Sequence, residues 1–282
     1  MRLALLTAVA GLAFATPALA DTDTGGAGYT PELHDHHPAL KAAVASAARD
    51  DDRARDQYRH PFETLDFFGV RPDMTVAEYA PGGGWYTRVI APYVGQDGQY
   101  IGLNFGPGGG VPESMNDRLT AFPATFGAQV IEQTGIPAEN VSAFIATQVP
   151  EDVNGTVDRV LIIRMLHNMM RWGIADTEIM AIREMLADDG MVGIVQHRAP
   201  EGQPYDMTDG NRGYLRQSDV IAFMQAYGFE LAGMSDVNAN PADTADWERG
   251  VWELPPTLGT KREELREIGE SDRMTLLFRK RQ

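Results

Sequence analysis

The sequence predicts an α/β fold: a doubly wound, mostly parallel sheet with helices on both faces. Three observations predict it. Apolar strand-like runs alternate with helical segments from Thr75 onward, which is the pattern of parallel strands joined by crossover helices. The run Val160-Leu161-Ile162-Ile163 is continuously apolar rather than alternating, as in a strand buried on both faces. Gly82-Gly83-Gly84 follows the first strand directly, and a tight strand-to-helix turn needs glycine there.

The elements follow in order. Met1-Arg2 and the apolar run Leu3–Ala15, ending in Ala18-Leu19-Ala20, read as a signal peptide over residues 1–20, cleaved at Ala20-Asp21. The run is too short to span a bilayer. The chain is therefore expected to be periplasmic or secreted, with no membrane span. Residues 21–38 read as a flexible arm holding His34, His36 and His37. That tract is read as a solvated arm rather than a metal site. Alanine-rich Leu40–Arg55 predicts a helix. Pro61 opens another, closed by Gly69. Thr75–Tyr79 is the first strand, and Trp85–Val94 the helix after the glycines, ended or kinked by Pro92. Tyr100–Asn104 is the second strand and Gly106–Val111 a loop. A helix around Met115–Phe122 and a strand at Val141–Ile145 follow. Val157–Arg164 is the strongest strand. Asp176–Ala187 is helix, Asp188-Asp189-Gly190 its turn, and Met191–Gln196 the next strand. Ser218 reads as the N-cap of a helix running to Tyr227 and ended by Gly228. Glu230–Val237 and Met274–Arg279 are the last strands. Between them, residues 238–272 are an insertion in a single domain spanning 39–282.

Composition bounds the function. The 282 residues are 43% hydrophobic and 23% charged, a globular balance. No cysteine is present, which excludes disulfides, thiolate metal sites and a cysteine nucleophile. With 40 acidic against 24 basic residues the net charge is −16. That balance excludes the basic footprint of a nucleic-acid binder.

The chemistry lies in Val76-Ala77-Glu78-Tyr79-Ala80-Pro81-Gly82-Gly83-Gly84-Trp85-Tyr86-Thr87. Glycines at a strand-to-helix turn let backbone approach a ligand, beside the N–H groups of a helix start. A nicotinamide-binding loop would carry a third glycine where Thr87 stands, and an acid where Asn104 stands. The acid is instead Glu78, on the first strand. A Walker loop is excluded, because no Gly-Lys-Ser/Thr follows.

Glu-x-x-x-Gly-x-Gly here resembles motif I of the class I S-adenosylmethionine-dependent methyltransferases. The fuller Pro-Gly-Gly-Gly-Trp-Tyr-Thr resembles a largely uncharacterised bacterial group of predicted secreted methyltransferases. The likeness continues through Arg59-His60-Pro61, Ile90-Ala91-Pro92-Tyr93, Arg164-Met165-Leu166-His167-Asn168 and Gln196-His197-Arg198-Ala199-Pro200. It extends to Asn238-Ala239-Asn240-Pro241, Gly250–Pro256 and Ser271-Asp272-Arg273-Met274. It implies a seven-stranded Rossmann-like methyltransferase sheet whose last strand is antiparallel. It also implies S-adenosyl-L-methionine as cofactor, held by Glu78, Pro81, Gly82, Gly83, Gly84, Trp85, Tyr86 and Asn104. The chain departs from the family at Asn104, where many members carry an acid for the ribose hydroxyls.

His167, Asn168 and His197 follow the fourth and fifth strands, at ends that face the ligand crevice in such sheets. They are the candidate catalytic residues, His167 as general base and Asn168 as an orienting group. A structural histidine bonded to backbone is the competing reading for His167. Arg59, His60 and Arg164 are candidates for a substrate-side lid. Asp206, Asp209, Asn211 and Arg212 form a polar loop that reads as a lid or as a solvated turn. Trp85 and Tyr86 read as stacking groups or as core. The expected activity is methyl transfer to a small-molecule or protein acceptor in the cell envelope. The alternatives are a Rossmann-like binding module without catalysis, and a metal hydrolase or lyase built on His60, His167 and His197.

Overall fold

The computed structural model describes residues 37–281. The signal-peptide reading, most of the N-terminal arm, and His34 and His36 lie outside the described residues. The chain runs α1 (His37–Val44), α2 (Asp56–Arg59), α3 (Pro61–Phe67), β1 (Thr75–Tyr79), α4 (Thr87–Val94), β2 (Gln99–Asn104), α5 (Asn116–Thr134) and β3 (Val141–Ile145). It continues through β4 (Val157–Ile163), α6 (Leu166–Arg171), α7 (Ala175–Met185), β5 (Leu186–Ala199), α8 (Tyr205–Thr208), β6 (Leu215–Arg216), α9 (Gln217–Ala226), β7 (Phe229–Ser235) and β8 (Arg273–Lys280).

Seven strands form one path in the order β3-β2-β1-β4-β5-β8-β7. The first five are parallel, and β8 runs antiparallel to both β5 and β7. An eighth strand, β6, adds two residues alongside the end of β5. The winding reverses at β1, which has β2 on one side and β4 on the other. Ligand crevices open at such a reversal, beyond the carboxyl ends of the strands.

Alternate strand residues feed two cores, as the period of two requires. Val76, Tyr100, Ala143 and Leu161 pack with α1, α3, α4 and α5. Ala77, Leu103, Val160 and Ile162 pack on the other face with α6, α7 and α9. Gly102 in β2 is set by close approach: a Cβ there would stand 2.4 Å from the Phe126 ring of α5.

Several expectations are corrected. The helix over Leu40–Arg55 breaks after Val44 into 3-10 turns, with Ser46 capping the first through a bond from Ala48 N. The helix around Met115–Phe122 runs on to Thr134, through Pro123. Its buried stripe Leu119, Phe122, Phe126 and Val130 packs on the sheet, which outweighs the bond that Pro123 cannot donate. The turn at Asp188-Asp189-Gly190 is drawn into β5, where the register with β4 shifts between Val157 and Arg159. Ser218 lies one residue inside α9, whose N-cap is Arg216, and its hydroxyl donates to Glu201.

Candidate ligand crevice

The turn after β1 is built from its sequence. Ala80 N donates to Leu103 O (2.7 Å) and Gly84 N to Pro81 O (3.0 Å). Gly82 and Gly84 adopt φ of +59° and +77°, where glycine is at ease. Ala80 takes φ +50° and Arg164, just past β4, +57°. His60, between α2 and α3, takes +40°. Left-handed backbone at residues with a Cβ marks places that the surrounding structure holds under strain, often functional ones.

Two cavities meet here. One of about 380 Å³ is walled by the loop Ala80–Gly83 with Glu78, Arg59 and Arg164. The other, about 230 Å³, is walled by Asn104, Phe105, Met115, Asn168, Trp172 and Trp252. They share Ala80, Gly82 and Met165, so they form one crevice over the carboxyl ends of β1, β2 and β4. A larger depression of about 490 Å³ lies at the opposite end of the sheet, beside Met191 and Glu230. It is open and lined mostly by surface charges, so it carries no comparable set of convergent groups.

Glu78 is 3% exposed. Its Oε2 accepts from Thr87 Oγ1 (2.7 Å) and Tyr100 OH (2.7 Å). Burial pushes its pKa up to about 7, against the two hydrogen bonds and Arg88. Asn104 Oδ1 accepts from Phe105 N (3.0 Å), so the carboxamide oxygen serves its own turn. Trp85 and Tyr86 line the first cavity but are held as wall. The guanidiniums of Arg49 and Arg59 lie 4.9 and 4.7 Å from the Trp85 ring centroid. Tyr86 OH donates to Arg59 O (3.1 Å).

The expected histidines stand behind the crevice rather than on its wall. His167 and His197 are 4% and 7% exposed, with ring centroids 5.5 Å apart. His167 Nδ1 is 3.3 Å from Gln196 Oε1, and His197 Nδ1 is 2.5 Å from Ser271 Oγ. Neither lines either cavity. Burial pulls His167 down to about 3 and His197 well below its ordinary value, so both are neutral near pH 7. Asn168 does line the second cavity, with Nδ2 on Met165 Sδ and a buried Oδ1 that has no partner.

Arg59 and Arg164 line the first cavity, whereas His60 does not. His60 sits at the α2–α3 junction, its N–H on Asp56 O. The described residues hold no group of three His, Asp or Glu side chains that could bind a metal, so the three-histidine convergence is not formed. His37 contacts Asp66 Oδ1 (2.7 Å). In the polar loop, Asn211 bonds Asp209, and Arg212 bonds Trp247 O and Glu248 O, away from the crevice.

Sequence reasoning missed Phe105, Trp172 and Glu270, and placed Trp252 and Arg273 only within segments of family likeness, with no role. Phe105 and Trp172 pack at 4.9 Å between centroids beside Asn104. Phe105 directly follows Asn104 at the end of β2, which was the one signal for it. Glu270 binds Arg59 and Arg55, more than 200 residues earlier, at 3.1 and 2.6 Å, and nothing local marks it.

No protein-family model matches the chain, and no curated protein matches it in sequence. Solved structures do. The [4+2]-cyclase SpnF is similar at 14% identity and a TM-score of 0.52, over 89% of this chain and 94% of that one. A candidate sarcosine dimethylglycine methyltransferase from Galdieria sulphuraria is similar at 12% identity and a TM-score of 0.52, over 82% and 86%. The likeness is one of fold: the chain shares with these structures a mostly parallel, Rossmann-like α/β sheet, the fold class that its alternating strands and helices predict.

Proposed function

We propose that the chain is an S-adenosylmethionine-dependent methyltransferase, exported to the cell envelope, acting on a small-molecule or protein acceptor. The observation that carries this reading is the two-lobed crevice at the reversal of the sheet, floored by Gly82 and Gly83. A Cβ added at Gly83 would meet nothing within 4 Å. Packing therefore does not demand glycine there, but a close-lying ligand does. The second lobe offers room for the cofactor's adenine beside Asn104, and the glycine turn joins it to the wider first lobe. Phe105 and Trp172 offer an apolar platform beside Asn104. When bound, S-adenosylmethionine supplies an electrophilic methyl on a sulfonium sulfur. The chain's part is to hold both reactants in line and keep water out. His167 and His197 are positioning residues in this reading: neutral and buried, they brace Gln196 and Ser271 behind the wall.

A second reading, ligand binding without methyl transfer, is favoured by one observation. Among the described residues that line the crevice there is no histidine, Asp52 is engaged by Arg88, and Glu78 by Thr87 and Tyr100. The fold is shared with a protein described as a cyclase, so architecture alone does not choose.

Calorimetry with S-adenosylmethionine on the purified chain and on Gly83→Val tests the first reading. The φ of Gly83 needs no glycine and a side chain there meets no protein, so the variant is expected to keep its melting temperature. Affinity is expected to fall about tenfold or more, the effect of filling a ligand site. No binding at millimolar ligand, or equal binding by the variant, sinks it. Binding without turnover of any acceptor selects the second reading.

A further inference from the structure

The crevice has a charge opposite to that of the molecule. The chain carries −16, yet six arginines line the two lobes, Arg55, Arg59, Arg88 and Arg164 in one, Arg118 and Arg171 in the other. The acids on the same wall are Asp52 and Glu78. Asp52 is matched by Arg88 through two bonds of 2.6 and 2.8 Å.

Behind the first lobe lies a cluster of four arginines around one carboxylate. Glu270 receives Arg55 Nε (2.6 Å), Arg59 Nε (3.1 Å) and Arg273 Nη1 (3.2 Å). Arg164 makes no ion pair with it and is set against the like charges of Arg59 and Arg273. Burial, then these neighbours, pulls Arg164 down to about 9. Burial likewise brings Arg59 to about 10, with Glu270 opposing. Arg164 Nε, Arg59 Nη2 and Arg55 Nη2 are buried without a hydrogen-bond partner. Buried guanidinium N–H groups are ordinarily satisfied, and three exceptions in one cluster are donors beside the first lobe that the protein's own acceptors do not match. Arg164 is moreover held at φ +57°, a strained position next to the reacting end of the sheet.

A sulfonium cofactor does not balance this charge. It carries a sulfonium and an ammonium against one carboxylate, so it enters as a net cation. We propose that Arg59 and Arg164, backed by Arg55 and Arg273, form an anion pocket, and that the second ligand of the crevice, the acceptor, bears a phosphate or carboxylate group seated there. The word acceptor rests on the methyl-transfer reading, while the anion pocket does not. Planar guanidiniums suit both oxyanions, because they offer paired N–H donors at fixed spacing.

The test uses the purified chain, with inorganic phosphate and S-adenosylhomocysteine as probes and sodium chloride at matched ionic strength as the control. Phosphate is expected to raise the melting temperature beyond the chloride control and to bind by calorimetry. Arg164→Gln is expected to weaken phosphate binding about tenfold, the effect of removing a charged hydrogen bond. The same variant is expected to keep or raise its own melting temperature, since it relieves like-charge repulsion, whereas a structural arginine would lower it. Arg164→Lys, with the same backbone demand, is expected to retain part of the binding. Phosphate is expected to bind equally well with S-adenosylhomocysteine present. No shift beyond chloride, or an unchanged shift in Arg164→Gln, overturns the pocket. Competition between the two probes assigns the guanidiniums to the cofactor's own carboxylate and overturns the acceptor assignment. Phosphate binding without S-adenosylhomocysteine binding supports the pocket and removes the methyl-transfer reading alone.

Discussion

At the residue scale, Glu78 shows how one side chain couples the loop to the sheet. It sits on β1, takes Thr87 from the start of α4 and Tyr100 from β2, and so ties three elements under the crevice floor. Its raised pKa has a direct stability consequence. The folded value, about 7, lies above the ordinary 4.5. The protonated form is therefore favoured by folding, and that stability is full below pH 4.5 and lost as pH rises through 7. Glu178, held by Tyr79 OH (3.0 Å) and also raised to about 7 by burial, acts with the same sign. His167 acts at the acid side: lowered from 6.5 to about 3, its contribution is present above pH 6.5 and lost as pH falls toward 3. Glu78→Gln keeps an oxygen acceptor for Thr87 and Tyr100 but removes the titration. Urea unfolding at pH 4.5 and pH 8 isolates Glu78 by difference, because over the same interval Glu178 loses stability while His167 and His197 gain it. Going from pH 4.5 to pH 8, the stability of the variant is expected to shift upward relative to that of the native chain by roughly 1–3 kcal/mol. An identical change in both proteins would show that Glu78 ionises in the folded state without penalty.

At the element scale, α5 is the instructive case. Propensity arguments stop a helix at Pro123, yet the helix continues for eleven more residues to Thr134. The stripe Leu119, Phe122, Phe126 and Val130 reaches the sheet over Gly102, and tertiary packing overrides the missing bond. Pro123 itself faces solvent. Pro123→Ala is expected to restore the bond to Leu119 O and to stabilise the fold by about 1–3 kcal/mol, read from the urea midpoint at unchanged slope. A destabilised variant would mean that the kink itself is needed for α5 to lie on β2 and β3. The strands were more legible than this helix. β1 and β3 lie at their expected bounds, and β2 and β4 differ by a residue at one end, because apolar runs bounded by polar turns are a local signal. The crevice was legible where it is local: the glycine turn, Asn104 and Asn168 all follow strand ends. His167 and His197 also follow strand ends, but which way a side chain turns there depends on Trp252 and Tyr214, which come from elsewhere in the chain. Phe105 and Trp172 become one platform only once the end of α6 meets the end of β2.

At the scale of the whole molecule, the crevice wall is where the two ends of the described chain meet. Arg273 Nη2 donates to Tyr58 O, Asn238 Nδ2 to Thr64 Oγ1 (2.9 Å), and Glu270 holds Arg55 and Arg59. The segment over residues 238–272 is thus no loose decoration, and through Trp252 it also closes the second lobe. Glu270 is the central fastener. Burial alone would raise its pKa, but Arg59, Arg273 and Arg55 overcome that and hold it below the ordinary carboxylate value. Its contribution is therefore present at neutral pH and lost on acidification. Removing it leaves four arginines facing one another without a counter-charge. Breaking a buried pair in this way costs about 3–5 kcal/mol, far more than an exposed pair, which is worth about 0–1 kcal/mol. Glu270→Gln is expected to lower the urea unfolding free energy by about 3–5 kcal/mol. Glu230→Gln, which breaks the exposed pair with Arg279, is expected to change it by under about 1 kcal/mol. If Arg59 and Arg164 form an anion pocket, phosphate has more uncompensated charge to bind in the Glu270 variant. Its melting temperature is then expected to rise further with phosphate than that of the native chain, at matched ionic strength. Equal destabilisation by the two substitutions would mean that solvent already screens the cluster, and that the chain's distant ends are joined by packing rather than by charge.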